Sequence, residues 1–158
     1  MSRTKVLFVC LGNICRSPMA ETIFNHIIED HDAENEFYVD SAGLISYHQG
    51  QMADPRMRMH AKRHSYEITH RSRPIRQHDF DSFDYIVAMD DDNYERLYDI
   101  APTLEDTKKI VKMADYCTIP GVDYVPDPYY GGDQGFERVI EMLENACLEF
   151  YQFLKDNR

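Results

Sequence analysis

The sequence predicts a three-layer α/β fold with a central four-stranded parallel sheet and helices on both faces. Two observations support this prediction. Short runs rich in β-branched and aromatic residues alternate with segments of helical periodicity, and the last helical segment carries one long apolar stripe. The length of 158 residues suits one domain, so we expect residues 1–158 to form a single domain.

The first strand and helix carry the strongest local signals. Residues 4–10 read TKVLFVC, which is typical of a buried central strand. Ser17 followed by Pro18 is a helix start signal, and we expect this helix to end near Asp32. The later elements are predicted as a strand over 36–41, a loop over 46–55, a helix over 56–64, a strand over 83–89, a helix over 91–100, a strand over 109–113, a loop over 114–132 and a helix over 133–154.

The last helix has the clearest pattern of the chain. Its apolar residues recur at helical spacing and should face the core: Phe136, Val139, Ile140, Leu143, Ala146, Cys147, Phe150 and Leu154. Cys147 is therefore expected to pack as a small core residue.

Composition excludes several classes of protein. The net charge of −11 argues against binding nucleic acid or an anionic membrane over the whole surface. No apolar run is long enough for a transmembrane helix, and the N-terminal apolar run is too short for a signal peptide. The four cysteines form neither a CxxC pair nor a disulfide pattern, so we expect a cytoplasmic protein without a structural zinc site.

One loop combines residues that suit an anion site. Cys10 and Arg16 are separated by five residues, a spacing that alone yields roughly 0.3 chance matches in such a chain. The context is more informative, because a strand ends at Cys10 and a helix begins just after Arg16. Backbone amides at a helix N-terminus form a site for an anion, and a guanidinium grips two of its oxygens. The predicted phosphate-binding loop is Leu11, Gly12, Asn13, Ile14, Cys15 and Arg16.

Cys10 is the candidate nucleophile of this loop. The potential that attracts an anion also favours a thiolate, and Ser17 could donate a hydrogen bond to its sulfur. A thiolate against a bound phosphate suggests attack on phosphorus. The alternative is a buried cysteine and a surface arginine that do not act together.

The run VCLGNICRSPMAE at 9–21 resembles the signature of the low-molecular-weight protein tyrosine phosphatases. Further motifs match in order over nearly the whole chain: DSAG at 40–43, YH at 47–48, DPR at 54–56, His70 with Arg73, MD at 89–90 with Asn93, and VPDPYY at 125–130. The resemblance implies a flavodoxin-like strand order, a phosphotyrosine protein as substrate, a phosphocysteine intermediate, inorganic phosphate as product, and no metal or other cofactor.

The resemblance also assigns roles to individual residues. It implies that Asp127 is the general acid and then the base that activates water. Two prolines bracket this residue and restrict its backbone, although an exposed turn aspartate would fit the same pattern. The resemblance further implies a hydrogen-bond network of Asn13, Ser17 and Ser41. Tyr47, Tyr129 and Tyr130 are the predicted substrate cleft, although exposed tyrosines are common in this chain.

Cys15 and three rival functions remain open at this point. The resemblance implies that Cys15 is a redox partner of Cys10, and the alternative is a small loop residue. An arsenate reductase would need further cysteines near residues 80–90, which the segment 80–89 lacks. An arginine phosphatase is associated with threonine where this chain has Ile14. A non-catalytic phosphotyrosine-binding module would be expected to lack Cys10 or Asp127.

Overall fold

A parallel four-stranded sheet forms the centre of the protein. The computed structural model describes residues 2–158; Met1, which the predicted domain range includes, lies outside them. The strands are β1 (Thr4–Cys10), β2 (Phe37–Gly43), β3 (Tyr85–Ala88) and β4 (Ile110–Lys112). The helices are α1 (Arg16–Asp30), α2 (Pro55–Arg63), α3 (Gln77–Ser82), α4 (Asp91–Ile100), α5 (Leu104–Thr107) and α6 (Gly132–Asp156), with 3-10 turns at Met113–Tyr116 and Pro128–Tyr130.

The strand order is β2-β1-β3-β4, and all neighbouring strands are parallel. The predicted flavodoxin-like order is thereby confirmed. Cys10 pairs in register with Gly43, and Val9 pairs with Ala88, so β1, β2 and β3 end side by side. The loops that leave these ends lie where the order of the sheet reverses, which is where open α/β sheets bind ligands.

Helices cover both faces of the sheet, as predicted. Val6 and Phe8 of β1 point into a core shared with α1, α2 and α6, whereas Leu7 and Val9 point into a second core shared with α3 and α4. This alternation is the two-residue period of a strand that is buried on both faces. The predicted apolar stripe of α6 is buried, and Cys147 is a fully buried core residue.

The sequence prediction differs from the structure mainly at short elements. The helices α3 and α5 were not predicted, since they span only six and four residues. Caps stabilise both: the Arg76 amide donates to Asp79, and Thr103 accepts from the Asp106 amide. Within residues 2–158, no helix is both long and apolar enough to span a membrane.

Candidate active site

The loop between β1 and α1 contains the candidate nucleophile. The strand ends at Cys10 and the helix begins at Arg16, and the two side chains are only 3% and 4% exposed. Within residues 2–158, no side chain caps the N-terminus of α1, so its first amides are available to an anion. Gly43 sits against the loop, because a Cβ there would lie 3.0 Å from the Leu11 carbonyl oxygen.

Asn13 is the centre of a hydrogen-bond network behind the loop. Its backbone is left-handed, with φ of 57°, a conformation that asparagine tolerates better than most residues. Its Nδ2 donates to Ser17 Oγ at 2.8 Å and to Ser41 Oγ at 3.0 Å. Its Oδ1 accepts from His70 Nε2 at 2.8 Å and from the Arg73 amide at 3.0 Å. All four hydrogen-bonding positions of this amide are therefore used.

The network decides the direction of the hydrogen bond at the nucleophile. Ser17 Oγ lies 3.0 Å from Cys10 Sγ. Because Ser17 already accepts a hydrogen bond from Asn13, its own proton is free to point at the sulfur. A Cys10 thiolate has no proton to give, so Ser17 donates to the ionised sulfur and stabilises that form.

A cluster of ionisable groups supports the network from below. Ser41 donates to Glu21 Oε1 at 2.7 Å, and His70 Nδ1 lies 3.1 Å from the same oxygen and 3.5 Å from Asp40. Burial raises the pKa of Glu21 to about 7. Glu21, Asp40 and His70 are also the one group of potential metal ligands within residues 2–158, with their ligand atoms within 4.8 Å of one another. Their polar atoms are engaged with Ser41 and Asn13, which fits a structural role.

Arg16 is fixed by two contacts on the far side of the loop. Its Nη1 donates to Asp90 at 2.6 Å and to the carbonyl of Val125 at 3.1 Å. Burial opposes the charge of Arg16, but the negative charges of Cys10 and Asp90 outweigh it and raise the pKa of the guanidinium. Both contacts use Nη1, so Nε and Nη2 face no other described partner and suit a phosphate. The role of Asp90 was missed, because this contact spans 74 residues of sequence.

A cleft of about 430 Å³ opens above the loop. It brings together the three predicted catalytic residues, Cys10, Arg16 and Asp127. The full set of lining residues is Cys10, Leu11, Gly12, Ile14, Cys15, Arg16, Ile45, His48, Asp54, Asp127, Tyr129 and Tyr130. Tyr47 is not among the lining residues: its side chain is 81% exposed and packs on the ring of His48, which lines the cleft instead. Asp54 was named only as part of the DPR motif, and its place in the cleft lining was not predicted.

Asp127 lies on a segment that we call the acid loop, residues 125–131. The Asp127 Oδ1 atom accepts from the Tyr129 amide at 3.0 Å, so Oδ2 is the oxygen free to exchange a proton. At one end of the loop, the Val125 amide donates to the Met89 carbonyl at 2.8 Å. At the other end, Gly131 packs on Gly135 of α6.

Cys15 is a buried thiol at the N-terminus of α1. Burial raises the pKa of this thiol well above its usual range, and the negative charges of Asp54, Cys10 and Asp127 add to the effect. Cys15 is therefore protonated at neutral pH, which limits its reactivity.

Known proteins resemble this chain over nearly its whole length. The family model described as low molecular weight phosphotyrosine protein phosphatase matches residues 5–158. A low molecular weight protein-tyrosine-phosphatase from Streptomyces coelicolor is 42% identical over 144 residues, 90% of this chain and 88% of that protein. A human low molecular weight phosphotyrosine protein phosphatase is 36% identical over 147 residues, 93% of both chains.

Solved structures show the same fold. A protein tyrosine phosphatase from Entamoeba histolytica, crystallised with Hepes in its active site, has a TM-score of 0.94 and 49% identity, covering 98% of both chains. A drosophila arginine phosphatase has a TM-score of 0.90 and 37% identity, covering 96% of this chain and 98% of that one.

Proposed function

The chain belongs to the low-molecular-weight phosphotyrosine protein phosphatase family, and we propose that its cleft hydrolyses phosphotyrosine in proteins through a phosphocysteine at Cys10. One observation carries the assignment of residues. A buried sulfur that receives the Ser17 hydrogen bond lies in the same cleft as Arg16 and the carboxyl group of Asp127. These are a nucleophile, an oxyanion clamp and a proton donor, the three groups that this transfer needs.

The first step forms a covalent intermediate. Cys10 Sγ attacks phosphorus, the bond between phosphorus and the tyrosine oxygen breaks, and Asp127 Oδ2 gives its proton to that oxygen. The loop amides, the N-terminus of α1 and Arg16 stabilise the charge on the three remaining phosphate oxygens. Neutral tyrosine leaves, and the phosphoryl group remains on sulfur.

The second step releases inorganic phosphate. The Asp127 carboxylate takes a proton from water as the water oxygen attacks phosphorus. The bond between sulfur and phosphorus breaks, and the electron pair returns to Cys10. The Ser17 hydroxyl stabilises this leaving thiolate as it stabilised the nucleophile, so the same hydrogen bond serves both steps.

The walls of the cleft favour an aryl leaving group. Ile14, Ile45 and Tyr129 line it with apolar and aromatic surface, against which a phenyl ring can pack. A guanidinium leaving group would gain less from the apolar side chain of Ile14. Contact of Tyr47 with a bound protein substrate stays a prediction, since an exposed ring beside the cleft could still meet a large partner.

Hydrolysis of p-nitrophenyl phosphate in EDTA tests the assignment of residues. We expect activity that Cys10→Ser abolishes and that Asp127→Ala strongly lowers. Cys117→Ser and Asp123→Ala are the matched controls, because neither residue lines the cleft. Activity that survives Cys10→Ser would refute the phosphocysteine mechanism.

A second assay tests the substrate class. Phosphotyrosine and phosphoarginine peptides of the same sequence are compared side by side, and we expect much faster release of phosphate from phosphotyrosine. The reverse preference would favour an arginine phosphatase, the activity named for one of the similar structures.

We also propose that the enzyme works in the cytoplasm on phosphotyrosine-containing proteins. All four cysteines are free thiols, and a catalytic thiol needs a reducing compartment. Fractionation of the source cells followed by immunoblotting checks the location; enrichment outside the cytoplasm would contradict it.

A further inference from the structure

We propose that Arg56 is a positioning residue for the general acid: it fixes Tyr129 of the acid loop to the body of the protein and thereby aims Asp127. The inference rests on the proposed function, since it concerns the proton that Asp127 transfers. Arg56 does not line the cleft and is not required to touch substrate in this role.

The guanidinium of Arg56 contacts two aromatic rings. Its Cζ atom lies 5.0 Å from the ring centroid of Tyr129 and 5.0 Å from the ring centroid of Phe136. Phe136 is completely buried in α6, whereas the Tyr129 side chain is 58% exposed on the acid loop. Arginine attracts both ring faces through its charge and its planar shape. Arg56 therefore links an exposed ring of the acid loop to a buried ring of the core.

Two interactions of α2 fix the position of this guanidinium. Asp54 accepts from Arg56 Nε at 3.4 Å and from Nη2 at 3.3 Å, while it also caps the first amides of the helix. One turn later, His60 stacks on Phe136 with ring centroids 5.4 Å apart and planes 4° apart. The buried His60 ring is in turn fixed by Glu137 of α6, at 2.6 Å from its Nδ1. The Phe136 ring under Arg56 is thus buried and packed between α2 and α6.

The position of Tyr129 bears directly on the acid. The Tyr129 amide donates to Asp127 Oδ1, so a shift of this residue rotates or releases the carboxyl group. The ends of the acid loop are fixed at Val125 and Gly131, as described above. Between them, the aromatic contacts of Tyr129 within residues 2–158 are Arg56 and the largely exposed Tyr130. Of these two contacts, only Arg56 connects the Tyr129 ring to the core; the neighbouring Pro128 packs on Gly135 of α6 without holding that ring.

A positioning role and a substrate-binding role predict different kinetics. Tyrosine is a basic leaving group with a phenol pKa of about 10, so its departure depends on the proton from Asp127. A dinitrophenolate is a far weaker base and leaves without that proton. Loss of acid positioning therefore lowers kcat/KM in proportion to leaving-group basicity, whereas loss of a substrate contact lowers it for every substrate alike.

The experiment measures kcat/KM for a series of aryl phosphates from 2,4-dinitrophenyl to phenyl phosphate. The test variant is Arg56→Met, which keeps the length of the side chain but removes its charge and planar group. We expect about a tenfold or greater loss with phenyl phosphate and less than about twofold with the dinitrophenyl ester, as partial loss of general acid catalysis requires. Arg56→Lys should recover part of the loss with phenyl phosphate, because it restores the charge.

Two controls and one fallback variant make the outcome decisive. Arg58→Met tests a nearby arginine of α2 that bonds to the Ala53 carbonyl and contacts neither ring. Inhibition by inorganic phosphate should be unchanged in Arg56→Met, because the phosphate loop is intact. If Arg56→Met does not fold, Arg56→Lys alone should show a smaller slope of the same sign.

The failure of this inference is distinguishable from failure of the proposed function. Residual phosphatase activity in Cys10→Ser would contradict the proposed function, since that function requires a phosphocysteine at Cys10. An inactive Cys10→Ser together with an equal loss across the whole series in Arg56→Met, or no loss at all, would overturn the role of Arg56 alone.

Discussion

Ser17 has one proton to donate, and the surrounding side chains direct it to the sulfur of Cys10. Asn13 Nδ2 donates to the hydroxyl oxygen at 2.8 Å, so a Ser17 proton turned toward Asn13 would place two donors against each other. This arrangement stabilises negative charge on sulfur without placing a second charge in the cleft. The nucleophile therefore depends on a fully buried residue that does not line the cleft.

Ser17→Ala should lower kcat/KM for p-nitrophenyl phosphate by about tenfold to a hundredfold, because a hydrogen bond to a charged group is worth about 1.5–3 kcal/mol. Alkylation of Cys10 by iodoacetate at neutral pH should slow in parallel, as followed by mass spectrometry. Ser46→Ala, on an exposed loop, is the matched control. Unchanged alkylation in Ser17→Ala would show that the hydroxyl does not stabilise the thiolate.

The protonation of Cys15 sets the pH dependence of the predicted redox pairing. Attack on an oxidised Cys10 needs the Cys15 thiolate, and burial raises the pKa of that thiol. The thiolate fraction rises with pH at every pH below that pKa. We therefore expect the yield of the Cys10–Cys15 disulfide after a peroxide pulse to be higher at pH 9 than at pH 6, with over-oxidation of Cys10 showing the opposite trend.

Intact mass after alkylation measures both products. Cys15→Ser should show over-oxidation alone, and Cys117→Ser should behave as the wild type. A disulfide yield that does not change with pH would argue that Cys15 is not the resolving thiol.

At the scale of residues, sequence predicts groups that lie within one motif and misses their distant partners. Cys10, Arg16 and Ser17 lie within one short segment of sequence, and a proline stands on each side of Asp127. Between Arg16 and Asp90, which form this contact, the chain passes through β2 and β3. Nothing in a linear pattern indicates such a contact.

At the scale of elements, the acid loop packs against the first turn of α6. A Cβ added at Gly135 would lie 3.3 Å from the Pro128 carbonyl oxygen, tighter than an ordinary contact. A glycine inside a helix is otherwise unfavourable relative to alanine, by about 1 kcal/mol. The close approach of the loop thus explains a residue that helix stability alone would disfavour.

Gly135→Ala should accordingly lower the activity while leaving the stability nearly unchanged. We expect little loss of melting temperature, since the gain in helix propensity offsets the contact, but a several-fold fall in kcat/KM for phenyl phosphate as the carbonyl of Pro128 moves. Gln134→Ala, exposed on the same turn, should change neither quantity. Full activity in a folded Gly135→Ala would show that the loop tolerates the displacement.

Element prediction succeeded where periodicity is long and failed where it is short. β1 was predicted because most of its seven residues form a continuous apolar run, and α6 because its apolar residues recur at helical spacing over 25 residues. The helices α3 and α5 contain too few turns for a period, and side-chain caps define them instead. The predicted loop over 114–132 contains 3-10 turns that proline and glycine content obscures.

At the scale of the whole molecule, the two hydrophobic cores share the central sheet. Neighbouring residues of β1, such as Phe8 and Val9, belong to opposite cores. If one core loses its packing, one face of the central strands is exposed, and the opposite face of the same strands belongs to the other core. This coupling supports the predicted single domain over residues 1–158.

We therefore expect one cooperative unfolding transition. Far-ultraviolet circular dichroism, tyrosine fluorescence and residual activity should give coincident thermal transitions. Leu143→Ala in one core and Leu97→Ala in the other should each cost about 2–5 kcal/mol and keep the transition single. Two resolved transitions in either variant would contradict a single domain.

The fold class followed from the sequence because four strand signals alternate with helices, whereas the strand order was what the family resemblance implied. The effect of the net charge on the site could be judged only from the structure. The net charge of −11 disfavours anions globally, yet the site relies on buried local donors that distant carboxylates affect little at physiological ionic strength.

The full use of the Asn13 amide limits how this position can change by mutation. Aspartate has no donor for Ser17 and Ser41, glutamine has a longer arm, and most other side chains disfavour the left-handed backbone with φ of 57°. Saturation mutagenesis should therefore find no neutral replacement here, while exposed positions such as Gln134 accept most residues. The hydrogen bonds of this one side-chain amide thus leave position 13 with almost no substitution that evolution could accept.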